Sequence, residues 1–293
     1  MSETQKKSLF ASGHTACAGC GQSIAARLVI EAAGENTIIA NSTGCLEVFS
    51  TKYPESAWGV PWIHSLFENS AAVASGIEAA LIFQGKKDKI SVICQAGDGG
   101  TVDIGMQALS GMWERGHDVL SICYDNEAYE NTGIQRSGST PYGASTTTSP
   151  SGTHSFGNPR SKKPMPEIAN AHGIPYVATA SVAFPRALEK KVKKALSIKG
   201  PKYLQIHVPC PLGWSYPPEL TYQIAKLAIS SGLYPLIEYE NGKLTGVHKI
   251  TPTPVVEYLK LQRRFKHIIN NPAGLAKIQE IADNNIKKYN LTA

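Results

Sequence analysis

Cysteine is the residue type in this sequence with the greatest capacity for metal and redox chemistry, and four of the six cysteines are spaced for it. Cys17 and Cys20 form a Cys-Ala-Gly-Cys pair, whose small middle residues let the backbone turn and aim both sulfurs at one metal. Cys45 stands in Thr-Gly-Cys and Cys210 in Pro-Cys-Pro, each shortly after a predicted strand. The spacing therefore predicts a site with four cysteine ligands.

The identity of the metal at these four cysteines stays open on spacing alone. Structural zinc more often uses two local Cys-x-x-Cys pairs, whereas here one pair is completed by two distant cysteines, which favours an iron–sulfur cluster over zinc. A redox-active pair at Cys17 and Cys20 would leave Cys45 and Cys210 without a role, and a site without metal is the last alternative. His14 lies near the pair, and we expect it to be a neighbour because four cysteines complete a ligand set.

The other two cysteines have a different context. Cys94 and Cys123 lie inside the apolar segments Ile90–Cys94 and Val119–Tyr124, where a free cysteine behaves as a small buried hydrophobe. Six cysteines in 293 residues are also too few for a disulfide scaffold. We therefore predict that both are core residues.

A second group of candidate residues surrounds a Gly-Asp-Gly sequence. The segment Gly97–Thr101 follows one predicted strand and precedes a helix, and its glycines allow the backbone to approach a phosphate closely. Asp98 supplies an oxygen ligand of the kind that Mg²⁺ prefers, and Asn126 supplies another at the end of the next strand. The segment does not fit the Gly-x-Gly-x-x-Gly or P-loop patterns, which disfavours a nicotinamide, flavin or P-loop nucleotide site.

The elements that must position these residues are predicted strands alternating with predicted helices. The strands are short continuous apolar segments without period-2 alternation, which is typical of a parallel sheet covered by helices on both faces. We therefore predict the α/β class. In such sheets ligands bind beyond the carboxyl ends of the strands, where the Gly-Asp-Gly segment, Cys45 and Asn126 all fall.

Composition narrows the class of protein further. Hydrophobic residues make up 42% of the chain and charged residues 18%, which excludes a disordered protein. A net charge of +6 is too weak and too scattered to indicate nucleic-acid binding. The N-terminal residues are polar and no segment reaches the length of a membrane span, so we expect a cytoplasmic protein that is not bound to a membrane.

Two segments stand apart from the strand and helix pattern. Residues 131–164 contain 22 Ser, Thr, Gly or Pro among 34 residues, and we interpret them as a functional loop rather than a linker. Residues 251–293 contain many basic residues and few acidic ones, which fits either a solvated helix face or a docking segment. We predict one cofactor domain over residues 1–250 and a C-terminal arm over residues 251–293 that docks to another subunit.

The ordered motifs resemble the β subunits of pyruvate:ferredoxin oxidoreductases, in the 2-oxoacid:ferredoxin oxidoreductase family. The resemblance covers roughly residues 10–265. The motifs that carry it are Cys-Ala-Gly-Cys-Gly at 17–21, Thr-Gly-Cys at 43–45, Pro-Trp-Ile-His-Ser-Leu-Phe-Glu-Asn at 61–69, Gly-Asp-Gly at 97–99, Asp-Asn-Glu-Ala-Tyr-Glu-Asn-Thr-Gly-Ile-Gln at 125–135 and Pro-Cys-Pro at 209–211. It implies the thiamine diphosphate-binding fold, one bound thiamine diphosphate, Mg²⁺ and one [4Fe–4S] cluster.

The resemblance also implies roles for individual residues. The cluster ligands would be Cys17, Cys20, Cys45 and Cys210. The Mg²⁺ ligands would be the side chains of Asp98 and Asn126 and the carbonyl of Ala128. The remaining cofactor contacts would be Thr43, Gly44, Gly97, Gly99, Gly100 and Thr101, with Asn131 near the reacting end of the cofactor. Gln22 and His64 match family positions without an assigned role, and packing or an interface is the expected role of His64.

The implied reaction is oxidative decarboxylation of pyruvate with coenzyme A to acetyl-CoA and CO₂, with reduction of ferredoxin, and its reversal. The glutamate that activates the cofactor in this family lies on another domain, so we expect a partner α subunit, with γ and ferredoxin-like δ subunits or a fusion of these. The alternatives are the same chemistry on oxalate, 2-oxoisovalerate or phenylglyoxylate, or a zinc-stabilised, non-catalytic binding subunit.

Overall fold

An eight-stranded sheet forms the centre of the computed structural model, which describes residues 8–292. Residues 1–7, on which the expectation of an untargeted N-terminus rests, and residue 293 lie outside the described residues. The strands are β1 (Thr37–Ser42), β2 (Trp62–Ser65), β3 (Ser91–Gly97), β4 (Leu120–Asp125), β5 (Tyr176–Ser181), β6 (Lys202–His207), β7 (Ile237–Glu240) and β8 (Lys243–Val247). Their order across the sheet is β2-β1-β3-β4-β6-β5-β7-β8.

Strands β1 to β6 are all parallel, and β7 and β8 extend the sheet as an antiparallel edge beside β5. The central strands bury both faces, as their continuous apolar sequences predict: in β3, Val92 and Cys94 face one core and Ile93 faces the other. The predicted α/β class with a parallel sheet is confirmed. The antiparallel edge was not predicted, because its two strands are short and largely polar.

Helices cover both faces of the sheet, as predicted. They are α1 (Gly21–Ala33), α2 (Cys45–Ser50), α3 (Ser70–Phe83), α4 (Met106–Glu114), α5 (Met165–Ala171), α6 (Pro185–Ser197), α7 (Pro211–Trp214), α8 (Thr221–Ser230), α9 (Val255–Leu259), α10 (Lys266–Ile269) and α11 (Pro272–Tyr289). Helices α3, α4 and α5 share one core with Cys94 and Cys123, and α1, α6, α8, α9 and α11 share the other. None of the helices in the 8–292 range combines the length and the apolar character that crossing a membrane requires.

The C-terminal segment is packed into this second core. Val255, Leu259, Phe265 and Ile278 are buried in the same cluster as α1 and α6. Most of the basic residues that suggested an arm, such as Lys277, are exposed, while Arg264 is buried and the apolar residues between them face inward. Residues 251–292 are therefore continuous with the α/β domain, and their docking to another subunit stays a prediction.

Candidate functional site

Three of the segments singled out in the sequence meet at the carboxyl edge of the sheet. Strands β1, β3 and β4 are adjacent and parallel, so the residues that follow them lie side by side. They form a cleft that we call the Asp98 pocket. It is lined by Gln22, Ser42, Thr43, Gly44, Cys45, Leu46, Phe67, Ala96, Gly97, Asp98, Gly99, Gly100, Asn126, Ala128, Tyr129, Glu130, Asn131 and Thr132.

Every predicted cofactor-binding residue except Thr101 lines this pocket. Thr101 is buried behind it and donates a hydrogen bond of 2.8 Å from its hydroxyl to the Gly97 carbonyl, so it shapes the turn from within. The Thr43 hydroxyl lies 2.7 Å from Nε2 of His64 on the edge strand β2. His64 therefore supports a residue of the pocket without lining it.

The Gly-Asp-Gly segment turns directly into a short π-helical turn over residues 99–103. A side chain at Gly99 would meet the ring of Tyr129, since a Cβ there would lie 2.4 Å from a ring carbon. The Tyr129 hydroxyl donates back to the Gly99 carbonyl at 3.3 Å. Glycine at this position thus lets the backbone beside Asp98 pass close under an aromatic ring at the mouth of the pocket.

The side-chain amide of Asn126 lies between two oxygen atoms beside Asp98. One end of this amide is 2.7 Å from Oδ1 of Asp98 and 2.9 Å from the carbonyl oxygen of Ala128. Oxygens that share an octahedral Mg²⁺ lie ~3 Å apart, because each Mg–O bond is ~2.1 Å and neighbouring bonds meet at right angles. Without a cation, the amide satisfies both oxygens by turning over so that Nδ2 donates to them. The donor set and its spacing therefore fit a bound magnesium ion.

The charge of Asp98 also fits a cation. Its side chain is fully buried, and burial together with the nearby Asp125 carboxylate raises the pKa of Asp98 well above its usual range, although Ser137 donates a hydrogen bond to it. A bound cation reverses this effect, because it stabilises the ionised carboxylate. The carboxylate is thus placed where it gains most from a metal ion.

The long polar loop packs against this pocket rather than linking two domains. Ser137 reaches Asp98, Lys163 forms an ion pair of 2.8 Å with Asp103, and Lys162 forms one of 2.9 Å with Asp125. Many of its small polar residues are buried, including Asn158, which donates to the carbonyl of Thr140 at 2.7 Å. The loop therefore packs against the residues that form the Asp98 pocket and supports them.

All four predicted ligand cysteines line a second cavity, of about 220 Å³. Cys17 lies in the turn before α1 and Cys20 caps that helix; Cys45 begins α2 and Cys210 caps α7. Nowhere in residues 8–292 do three His, Cys, Asp or Glu side chains close around a point as a single ion requires. The thiols instead surround a volume that suits a larger group. We call this volume the cysteine cavity.

Glycines bring the distant cysteines of this cavity together. A Cβ at Gly21 would lie 2.7 Å from the Pro209 carbonyl oxygen, and the Gly21 amide donates to that same oxygen at 3.1 Å. Cys20 and Cys210 are the immediate neighbours of these two residues. The close backbone contact therefore sets the spacing between the Cys-x-x-Cys pair and Cys210, and it explains the glycine that follows the pair.

Burial favours the neutral form of three thiols in the cysteine cavity, those of Cys20, Cys45 and Cys210. Burial raises the pKa of Cys45 to about 12, with further contributions from Cys20 and Glu130. Burial likewise raises the pKa values of Cys20 and Cys210. The side chains that line the cavity, all within the described range, include no Lys, Arg or His. Metal ions would supply the positive charge that thiolate ligands need, so the donor set fits an iron–sulfur cluster.

The Asp98 pocket and the cysteine cavity share a wall. The residues that line both are Gln22, Cys45, Asn126, Glu130 and Asn131. Glu130 is half-buried in this wall, and the loss of solvent around its carboxyl raises its pKa to about 7. Asn131 is exposed at the mouth of both cavities. A redox group in one cavity would thus be separated from a cofactor in the other by single side chains.

Several residues of the site were not predicted. Glu127, Lys162, Trp214 and Arg264 all contact the turn that carries Asn126 and Ala128, and Glu130 stands in the shared wall. A charged residue inside a loop motif, as at Glu127 and Glu130, was the signal available for two of them. Cys94 and Cys123 lie in the core as predicted, with 3% and 0% of their surface exposed.

Comparison with known proteins agrees with this geometry. Residues 42–206 match the family described as thiamine pyrophosphate enzyme, C-terminal TPP binding domain. The chain is 56% identical over 295 residues to pyruvate synthase subunit PorB of Methanosarcina barkeri, covering 99% of this chain and all of that protein. It is 51% identical over 270 residues to ketoisovalerate oxidoreductase subunit VorB of Pyrococcus abyssi, covering 88% of this chain and 86% of that one.

Among solved structures, the chain is similar in fold to a 2-oxoglutarate:ferredoxin oxidoreductase from Magnetococcus marinus. The TM-score is 0.56 at 23% identity, over 68% of this chain and 65% of that one. The resemblance drawn from the ordered motifs is confirmed by the curated relatives. This chain belongs to the family of pyruvate synthase subunit PorB and is a thiamine pyrophosphate enzyme of the 2-oxoacid:ferredoxin oxidoreductase type.

Proposed function

We propose that this chain is the subunit of a pyruvate:ferredoxin oxidoreductase complex that binds thiamine diphosphate through Mg²⁺ and carries one [4Fe–4S] cluster. The observation that supports it most is the position of the Asn126 amide, 2.7 Å from Oδ1 of Asp98 and 2.9 Å from the Ala128 carbonyl oxygen, beside a cavity lined by four cysteines. The family match over residues 42–206 supports the cofactor.

The Asp98 pocket supplies the contacts that a diphosphate and its metal need. Asp98, Asn126 and the Ala128 carbonyl would hold Mg²⁺. Gly99 and Gly100 allow close approach of the phosphate oxygens, and Thr43, Gly44, Gly97 and Thr101 complete the surrounding turns. Bound thiamine diphosphate supplies an electron sink when a 2-oxoacid loses CO₂. Asn131, exposed at the mouth, would contact the substrate end of the site.

The cysteine cavity would hold the cluster that accepts electrons one at a time. Cys17, Cys20, Cys45 and Cys210 are its ligands in this proposal. Burial raises the thiol pKa values of Cys20, Cys45 and Cys210, which favours a metal-bound over a metal-free thiolate at these three residues. A cluster held there would lie next to the cofactor, across the wall that the two sites share. Ferredoxin, or a ferredoxin-like δ subunit, would receive the electrons, and coenzyme A the acyl group.

The other subunits complete the active site. An α subunit would supply the activating glutamate and part of the 2-oxoacid pocket, and a γ subunit would complete the assembly. The name of the Methanosarcina relative, a subunit of pyruvate synthase, supports a complex of this kind. We place the complex in the cytoplasm.

A sister reaction on 2-oxoisovalerate is the second candidate, because the VorB relative is 51% identical, only slightly below the PorB relative. Oxalate and phenylglyoxylate are further members of the same substrate class. Most residues of this chain that line the pocket have a small side chain or none. They therefore determine how the cofactor binds more than which substrate side chain is accepted.

Anaerobic purification of the complex from its native cells tests these proposals together. We expect a brown preparation with about four iron atoms per copy of this chain beyond the iron of any ferredoxin-like subunit, together with bound thiamine diphosphate, Mg²⁺ and co-purifying subunits. A substrate panel should show coenzyme A-dependent ferredoxin reduction with pyruvate above the other 2-oxoacids. A colourless protein containing zinc would contradict the cluster, and preference for 2-oxoisovalerate would contradict the substrate.

A further inference from the structure

A cluster of four charged side chains, of which only Lys162 is partly exposed, lies directly beneath the turn formed by residues 126–128. Lys162 forms ion pairs of 2.9 Å with Asp125 and 2.7 Å with Glu127, and Arg264 forms one of 2.6 Å with the other oxygen of Glu127. Arg264 is only 6% exposed. Two carboxylates and two cations are thus matched inside the protein, where an unmatched charge is strongly destabilising.

Glu127 occupies the central position of that turn and has the left-handed backbone conformation, with φ of 67°. A residue other than glycine adopts this conformation at a cost, and it persists where surrounding contacts fix it. The turn is what carries the Ala128 carbonyl back toward the Asn126 and Asp98 oxygens. Fixing the Glu127 side chain therefore fixes the metal-binding geometry of its two neighbours.

Arg264 reaches the same turn by a second route. Its guanidinium stacks on the indole of Trp214, with 3.7 Å between the guanidinium carbon and the ring centre. Nε1 of Trp214 donates a hydrogen bond of 2.9 Å to the backbone carbonyl of Asn126. One side chain thus supports Asn126 through Trp214 and Glu127 through a direct ion pair.

We infer that Arg264 is a positioning residue for the Mg²⁺ site: it holds residues 126–128 in their ligand geometry without touching the metal or the diphosphate. This inference rests on the proposed Mg²⁺ site. The planar, forked guanidinium of Arg264 can pair with Glu127 and stack on Trp214 at the same time. Neither an amide nor an ammonium group can do both.

The test measures metal-dependent binding on the assembled, cofactor-free complex, without catalysis. Equilibrium dialysis gives the thiamine diphosphate retained at increasing Mg²⁺ concentration. We expect Arg264→Gln to raise the Mg²⁺ concentration for half-saturation roughly 10- to 100-fold, as loss of a group that orients a metal ligand does. At saturating Mg²⁺ the retained cofactor should return to the wild-type level. Arg264→Lys should give a smaller increase.

Two further variants serve as controls for the Mg²⁺ half-saturation measurement. Arg263→Gln removes an exposed neighbouring arginine and should leave half-saturation within twofold. Asp98→Ala should abolish Mg²⁺-dependent retention. An unchanged half-saturation in Arg264→Gln, or a deficit that saturating Mg²⁺ does not restore, would overturn the inference alone when Asp98→Ala behaves as expected.

If Asp98→Ala also binds normally, the proposed Mg²⁺ site itself is wrong and the inference falls with it. If Arg264→Gln fails to assemble, Arg264→Lys decides the question, because it keeps the buried charge and loses only the fork and the stack. A half-saturation unchanged in Arg264→Lys then counts against the inference.

Discussion

At the carboxyl edge of the sheet, the carboxylates beneath the Asp98 pocket, Asp125 and Glu127, pair with Lys162 and Arg264, whereas the thiols of the adjoining cysteine cavity have no cation among their lining residues. The two sites share a wall of five residues, yet the turn that supports the first is balanced by the chain's own cations. The other depends on charge that only bound metal can bring. The first site can therefore be organised before its cofactor arrives, and the second is completed by its cluster.

The largest effect is expected from removing one cysteine ligand, which tests whether the cysteine cavity depends on its bound metal. Cys210→Ser should lose most of the iron of the cluster, because no neighbouring side chain replaces the missing charge and coordination. Iron content and the visible absorption spectrum after anaerobic purification measure it. Cys94→Ala is the matched control, since Cys94 is buried in the core away from the cavity. Loss of iron in Cys94→Ala would contradict our division of the six cysteines.

The second change removes a proposed Mg²⁺ ligand from the Asp98 pocket and leaves the cysteine cavity intact. Asp98→Ala should weaken Mg²⁺-dependent thiamine diphosphate binding by roughly 100-fold or more while iron content stays normal. The cofactor-free complex should be no less stable than wild type, because burial and the nearby Asp125 carboxylate disfavour the ionised Asp98 side chain in the absence of a cation. Calorimetric titration and thermal unfolding measure the two effects. Normal cofactor affinity would refute the Mg²⁺ assignment.

A smaller effect should follow from disturbing the spacing of the cysteines without touching a sulfur. Gly21→Ala places a Cβ 2.7 Å from the Pro209 carbonyl oxygen, so the backbone must shift at a cost of about 1–3 kcal/mol. We expect the cluster to release iron to a chelator several times faster than wild type. Gly76→Ala, in helix α3 with open space around the added methyl, should match wild type. Equal rates in both variants would argue against this spacing role.

The smallest predicted effect concerns His207, which ends β6 beneath the Asp98 pocket. Burial lowers the pKa of His207 to about 3, and its ring packs against Trp214 and Tyr234. Below pH 6.5, the ordinary pKa of histidine, His207 binds a proton in the unfolded chain but not in the native chain. The free energy of unfolding therefore decreases as the pH falls. The loss should reach about 2 kcal/mol at pH 5.

His207→Phe keeps a ring at this position and removes the titration. Urea unfolding of the complex at pH 7.5 and pH 5 should show the variant gaining on wild type at the lower pH. A stability difference that stays constant over this interval would mean that His207 takes up its proton in the native protein at the same pKa as in the unfolded chain.

The parts of the site that lie next to strands were predictable from the sequence. Asp98 and Asn126 each follow an apolar strand, and the adjacency of β3 and β4 brings them together. The two cysteines outside the local pair were predictable for the same reason, since Cys45 and Cys210 follow β1 and β6. In each case the signal was local, namely a small polar or glycine-containing turn after an apolar segment.

The residues that support the site from a distance were not predictable. Lys162 and Arg264 lie 35 and 137 positions after Glu127, in segments whose polar and basic composition is typical of exposed surface. Their burial depends on a carboxylate that comes from another part of the chain. A single sequence contains no periodicity that pairs two such residues, so the ion cluster became visible only in three dimensions.

The contact between Glu127 and Arg264 also bears on how the protein is made. A nascent chain that has emerged as far as residue 250 contains all eight strands and both halves of the cysteine set, yet it lacks the cation that fixes the turn after β4. Domains fold as units during synthesis once their residues are available. We therefore expect cofactor loading to follow translation rather than accompany it, so that ribosome-bound intermediates remain free of thiamine diphosphate.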